Sequence, residues 1–159
     1  MRLFMQKTEI HLFAGAADFS KEMQIGNKDF ILASRTAYEK YFSPLNLSAH
    51  VVYKSDYGKS EPTDLMVNEL ISDFKSSGCG RIIAIGGGSV IDMAKILVVK
   101  DATNAKDIFL RKIPTIKAHE LVAVPTTCGA GSEVSAVSII SATERGTKLG
   151  LADKALIPD

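Results

Sequence analysis

The chain has 159 residues, 46% of them hydrophobic, with 12 glycines and 5 prolines. That is the size and composition of one domain with a buried core, and it excludes a disordered or collagen-like chain. Nineteen Lys and Arg face 18 Asp and Glu, for a net charge of +1, so no basic excess draws the chain to nucleic acid or to an anionic membrane surface.

The elements alternate between strand and helix. Phe30 to Ala33 is a short apolar run that predicts a strand, and Thr36 to Phe42 a helix that Ser43-Pro44 ends, because the residue before proline is pushed out of the helical region. His50 to Tyr53 predicts a second strand. Glu61-Pro62-Thr63-Asp64 opens a helix whose Leu65, Val67, Leu70, Ile71 and Phe74 form the expected apolar stripe. Gly78 is the expected left-handed cap at its end. Arg81 to Ile85 then reads as a strand apolar on both faces, as in a parallel sheet. Gly86-Gly87-Gly88-Ser89 follows, then a helix over Val90 to Val99 that is apolar nearly all round. Leu121 to Val124 is a further buried strand. Segments 134–141 and 147–151 read as a hairpin turning at Thr143-Glu144-Arg145-Gly146. The pattern predicts an α/β fold: a Rossmann-like, open, mostly parallel sheet with helices on both faces and a C-terminal β-hairpin.

The longest apolar runs, such as Ile96 to Val99, fall far short of the roughly 20 residues of a membrane span. Met1 to Lys7 lacks the apolar stretch and cleavage site of a signal peptide. Cys79 and Cys128 stand far apart with no CxxC spacing, which excludes a zinc ribbon or disulfide scaffold and suits a reducing cytoplasm. Cys128 is expected to pack as a small apolar residue. His11, His50 and His119 are scattered, with no HxxxH or HxxE pair, and are read as surface or capping residues.

Two loops carry the chemistry. The glycine turn lies at the C-terminal end of a buried strand, where open parallel sheets bind ligands. Glycines there let backbone amides approach a phosphate, and the helix start adds positive potential. The competing reading is a tight turn with a capping box, Ser89 as cap and Asp92 as its acidic partner. A P-loop is excluded, because no Lys-Ser or Lys-Thr follows the glycines. The usual dinucleotide fingerprint fails where Ile91 replaces a third glycine. The second loop, Pro125-Thr126-Thr127-Cys128-Gly129-Ala130-Gly131-Ser132-Glu133, follows another strand end and offers hydroxyl and backbone donors to the same crevice; it also fits an ordinary Ser/Thr/Gly loop.

Together, Ile85 to Lys95 and Val124 to Val134 resemble the two signature stretches of the iron-containing, metal-dependent alcohol dehydrogenases. Glu61 to Asp64 and Lys148 to Ala152 also fall where that family has counterparts, and the likeness runs over nearly the whole chain. The Gly58 to Asp64 region and the Thr-Thr-Cys-Gly variant are most similar to the branch that acts on 4-hydroxybutyrate.

The resemblance implies that residues 1–159 form an N-terminal dinucleotide-binding domain, without the helical metal-binding domain. Gly87, Gly88 and Ser89 would bind the diphosphate of NAD, with Asp92 close by. Thr126, Thr127 and Ser132 would contact the cofactor, and Lys148 would reach a ribose. Ala130 stands where the family usually has threonine, removing one hydroxyl contact. Arg35 falls where an acidic residue often bonds the ribose 2′-hydroxyl, so it would meet the 2′-phosphate of NADP, whereas Glu61 would repel that phosphate and favour NAD. Fe(II) or another divalent metal is implied only for the full-length enzyme, as are a small-molecule substrate and a homo-oligomer, with neither nucleic acid nor membrane as partner.

Overall fold

A computed structural model describes residues 8–144 and 146–159. Met1 to Lys7 and Arg145, in the hairpin turn, lie outside the described residues. The element order is α1 (Ala16–Glu22), β1 (Asp29–Ala33), α2 (Arg35–Tyr41), β2 (His50–Tyr53), α3 (Lys54–Tyr57), α4 (Asp64–Ser77), β3 (Arg81–Gly86), α5 (Gly88–Leu97), α6 (Ala105–Phe109), β4 (Glu120–Pro125), β5 (Val137–Ala142) and β6 (Thr147–Ala152).

Four strands form one parallel sheet in the order β2-β1-β3-β4, and β5 and β6 pair antiparallel as a separate hairpin. Side chains alternate across the sheet, as the strand period of two requires. Phe30, Leu32, Ile82 and Ala84 face α4, α5 and α6, while Ile31, Ala33, Ile83 and Ile85 face α1 and α2. Helices therefore cover both faces, as the alternating pattern predicts. At the base of the sheet, Arg81 holds Asp29 bidentately, Nε at 2.6 Å and one terminal nitrogen at 3.0 Å, locking β1 to β3.

Four expectations need correction. Leu65 is 54% exposed, and Met66 takes its place in the buried stripe with Val67, Leu70, Ile71 and Phe74. Leu65 sits two residues, about 200° of helical turn, from Val67, so it points away from the sheet. The helix expected over Val90 to Val99 begins at Gly88 and ends at Leu97; Val99 has already left it to bridge Lys117. In β4 only Leu121 is fully buried, and Val122, Ala123 and Val124 are half-buried, because β4 is a sheet edge. Cys128 is exposed, and the packing role falls to Cys79 instead.

The hairpin is bound to the start of α4. Thr63 caps α4, accepting the Met66 amide at 3.2 Å, and also bridges Ser141. Buried Asp64 accepts the Thr143 amide at 2.9 Å and the Thr143 hydroxyl. Burial alone would raise this carboxyl, but the Thr143 hydroxyl and amide, with the Leu65 and Asp64 amides, hold it below the ordinary aspartate value. A depressed carboxylate stabilises the fold above its unfolded value and loses that contribution as pH falls through the folded value. Asp64→Asn is therefore expected to cost about 2 kcal/mol at neutral pH, the worth of a charge-assisted hydrogen bond. The deficit should shrink as pH falls through and below the ordinary aspartate range, as thermal melts of both proteins from neutral to acid pH would show.

Candidate functional site

The order β2-β1-β3-β4 places a switch point between β1 and β3: the chain leaves β1 toward one edge, then returns to build the other. In open parallel sheets the crevice outside the strand ends at such a point is the ligand site. Here Ser34, just after β1, donates its amide to the Ile85 carbonyl at 2.7 Å, and the glycine turn begins at the next residue.

Gly87 is the helix cap, in extended conformation, and accepts the Val90 and Ile91 amides at 3.0 and 3.2 Å. The competing capping-box reading is thereby overturned. Ser89 lies inside the first turn, and the cap is a glycine carbonyl rather than a serine hydroxyl. The Gly88 and Ser89 amides are among the first helical amides, which have no intrahelical acceptor. Both residues are exposed, so their amides and the positive helix end are presented to the crevice.

The loop after β4 forms the opposite wall. Thr126 donates its amide to the Gly86 carbonyl at 3.1 Å, fixing the loop's near end to the turn. A Cβ built on Gly87 would lie 3.0 Å from the Thr127 hydroxyl, and one on Gly88 would lie 3.2 Å from the Ser132 hydroxyl. Between turn and wall runs a narrow cleft of about 10 Å³, lined by Gly87, Gly88, Thr127 and Ser132 among others. Two hydroxyls and two bare glycines thus meet across one gap.

On the other side of the α5 start lies a second cavity of about 200 Å³. It gathers Glu61, Ser89, Asp92 and Lys148, with Ser141 and Ile140 behind them. Lys148 and Glu61 form an ion pair at 3.1 Å. Asp92 is 13% exposed; one carboxylate oxygen accepts the Ile139 amide at 3.1 Å and the other is buried without a hydrogen-bond partner. Burial raises this carboxyl above its ordinary value, against the pull of the Ser132 hydroxyl, the Lys95 ammonium and the Ile139 amide.

Two predicted residues stand apart from both spaces. Thr126 faces a third cavity of about 960 Å³ with Ile85, Val124 and Phe19, on the α1 side of the sheet. Arg35, at the start of α2, reaches Asp56 at 2.6 Å and lies over the Tyr53 ring at 3.9 Å. Its positive charge is already engaged. One residue escaped the sequence reading: Lys95, fully buried in α5. A lysine inside the otherwise apolar Val90 to Val99 run, with aspartate three residues before it, was the available signal.

Comparison with known proteins gives the family and the fold. The chain is 42% identical over 156 residues to 4-hydroxybutyrate dehydrogenase of Clostridium kluyveri, covering 98% of this chain and 42% of that protein. It is 37% identical over 109 residues to 4-hydroxybutyrate dehydrogenase of Cupriavidus necator, covering 65% of this chain and 28% of that one. Its fold matches sulfoacetaldehyde reductase from Bifidobacterium kashiwanohense, solved in complex with NAD+, with a TM-score of 0.80 and 20% identity over 98% of this chain and 44% of that one. NADH-dependent butanol dehydrogenase A from Thermotoga maritima matches with a TM-score of 0.78 and 22% identity, covering 99% of this chain and 42% of that one. The chain thus spans less than half the length of these relatives. The family model for iron-containing alcohol dehydrogenases matches residues 8–159, and on that match, with the close relative behind it, this chain belongs to the iron-containing alcohol dehydrogenase family.

Proposed function

We propose that this chain is the dinucleotide-holding domain of an oxidoreductase that moves hydride between a nicotinamide dinucleotide and a primary alcohol/aldehyde pair. The observation that carries the reading is the cleft in which Gly87 and Gly88 lie against Thr127 and Ser132 at the start of α5. A Cβ at either glycine would fill space that an anion needs. The Gly88 and Ser89 amides would take the diphosphate, with the Thr127 and Ser132 hydroxyls donating from the opposite wall. Lys148 and Glu61 would meet ribose hydroxyls, Asp92 would accept from the same region, and Thr126 would fix the wall to the turn. When bound, the dinucleotide supplies or accepts the hydride; the chain's own contribution is to hold it in one pose, which is worth most when the reacting atoms stand about 3–3.5 Å apart.

The 42% identity to a 4-hydroxybutyrate dehydrogenase makes 4-hydroxybutyrate and succinate semialdehyde the favoured pair, ahead of other short-chain alcohols or diols. Among the described residues, no group of three or more His, Cys, Asp or Glu side chains is placed to hold a metal. We place the metal-holding helical domain outside this chain.

NAD is favoured over NADP. Arg35 is held by Asp56 and Tyr53, so taking a 2′-phosphate would mean breaking that pair. Fluorescence titration is expected to show NADH binding at least tenfold tighter than NADPH, and Arg35→Ala should leave that order unchanged. Tighter NADPH binding by the wild type, lost in Arg35→Ala, would return the 2′-phosphate contact to Arg35. Failure of the wild-type chain to bind either nucleotide would overturn the dinucleotide reading.

A further inference from the structure

Lys95 is fully buried, yet its ammonium reaches three acceptors on one short segment: the Ser135 carbonyl at 2.8 Å, the Ser135 hydroxyl at 3.1 Å and the Val137 carbonyl at 2.7 Å. An ammonium has three protons, and a neutral amine only two, so the full set requires the charged form. Asp92, three residues earlier on α5, grips the next stretch. Its backbone carbonyl accepts the Ser138 hydroxyl at 2.8 Å and its carboxylate accepts the Ile139 amide at 3.1 Å. Residues 135–139 are thereby fastened to the same helix whose first turn forms the glycine side of the cleft.

The consequence lies one loop back. The wall over residues 126–134 is fixed at its near end by the Thr126 amide on the Gly86 carbonyl. Its far end runs directly into Ser135. Ser132, which stands over Gly88, lies between those two attachments. We propose that Lys95 is a positioning residue for the dinucleotide site: it fixes the far end of the wall, and so the place of Ser132 over Gly88, without touching the nucleotide. The inference rests on the dinucleotide reading above and adds a part that the reading does not assign.

Among the described residues, the charged groups that face Lys95 are Asp92 on its own helix and Glu133 on the wall, while β5 and the residues before it present carbonyls and a hydroxyl. Burial pulls the ammonium down to about 8, against the attraction of Asp92 and Glu133. Between about pH 7 and about pH 9 the clamp therefore loses one of its three protons.

The test is Lys95→Met, which keeps the length of the side chain and removes its donors, with Ser135→Ala as a milder second variant that removes one acceptor. NADH is the probe, titrated by fluorescence at about pH 7 and about pH 9, alongside thermal melts and amide hydrogen exchange over residues 132–139. Three results are expected. In Lys95→Met, exchange in 132–139 rises at least tenfold and NADH binds about tenfold more weakly near pH 7, with no further change by pH 9. Wild type weakens about threefold over the same range. Ser135→Ala shifts in the same direction by less.

Unchanged exchange in Lys95→Met overturns the proposal, as does faster exchange with unchanged NADH affinity, or a wild-type affinity flat from pH 7 to 9. Should Lys95→Met not fold, the wild-type pH profile and Ser135→Ala decide. If the wild-type chain takes up no NADH, the dinucleotide reading falls and the positioning role with it. That outcome is distinct from failure of the clamp, which exchange reports without any nucleotide.

Discussion

Gly86→Ala is expected to destabilise the chain by about 3 kcal/mol, at the upper end of what overpacking a tight core costs. The new Cβ would lie 2.6 Å from one Val90 methyl, 2.8 Å from the Val90 Cβ and 3.1 Å from the other methyl. Every neighbour is on one side chain, and that side chain cannot yield. Valine in a helix has one strongly preferred rotamer, and Val90 is buried at the start of α5. Relief must come from lifting α5 off β3, which also displaces the glycine turn between them. For a domain of this length, about 3 kcal/mol is a fall in melting temperature of roughly 6–12 °C. Removing the two methyls narrows the cause: Gly86→Ala with Val90→Ala should lose less than the sum of the two single changes, because the contacts at 2.6 and 3.1 Å vanish in the pair and only the one with the residue-90 Cβ remains. Gly80→Ala, where an added Cβ meets nothing within 4 Å, should melt close to wild type. A Gly86→Ala melting curve indistinguishable from Gly80→Ala would refute the close approach of helix and strand.

The same close approach shows what the sequence can and cannot reveal. A run such as Arg81 to Gly86 is short and apolar at every position after the first, the pattern of a strand buried on both faces. Strand, turn and helix are thus legible in one stretch, and a mostly parallel sheet follows from repeating it. What escapes is whatever depends on a partner distant in sequence. Lys95 has its acceptors 40 and 42 residues away, so nothing within the α5 run itself gives it a role. The Ser89–Asp92 spacing satisfied a local rule, yet the Asp92 carboxylate had a better acceptor role toward Ile139, on the hairpin. The short α1 was missed because Ala16 to Glu22 carries one fully buried apolar residue, Phe19, too few for a periodicity. In the candidate site, the glycine turn and the Thr-Ser loop were visible as strand-end loops. The division of adjacent Thr126 and Thr127 between two cavities was not: neighbours leaving a strand point to opposite sides, but residue types alone do not say which side holds the ligand.

Gly87→Val should lower NADH affinity about a hundredfold, or about 2.7 kcal/mol, while leaving the fold nearly intact. Gly87 has φ −79° and ψ −176°, ordinary extended backbone that valine adopts without strain. The residue is therefore not glycine for the sake of its own conformation. An added Cβ would lie 3.0 Å from the Thr127 hydroxyl oxygen and 3.6 Å from its methyl, and Thr127 is an exposed loop residue that can turn aside. The branched side chain would then occupy the cleft that the diphosphate needs, and it would hold an anion off the Gly88 and Ser89 amides, where the helix end is most positive. Gly88→Val acts from the other side of the same cleft, against the Ser132 hydroxyl at 3.2 Å, and should weaken binding comparably. The two measurements must part company: nucleotide uptake falls steeply while the melting temperature moves by about 3 °C or less. A loss of binding that merely tracked unfolding would make these glycines structural. Full NADH affinity in a well-folded Gly87→Val chain would remove the diphosphate from this turn, and with it the reason for reading the crevice as a dinucleotide site.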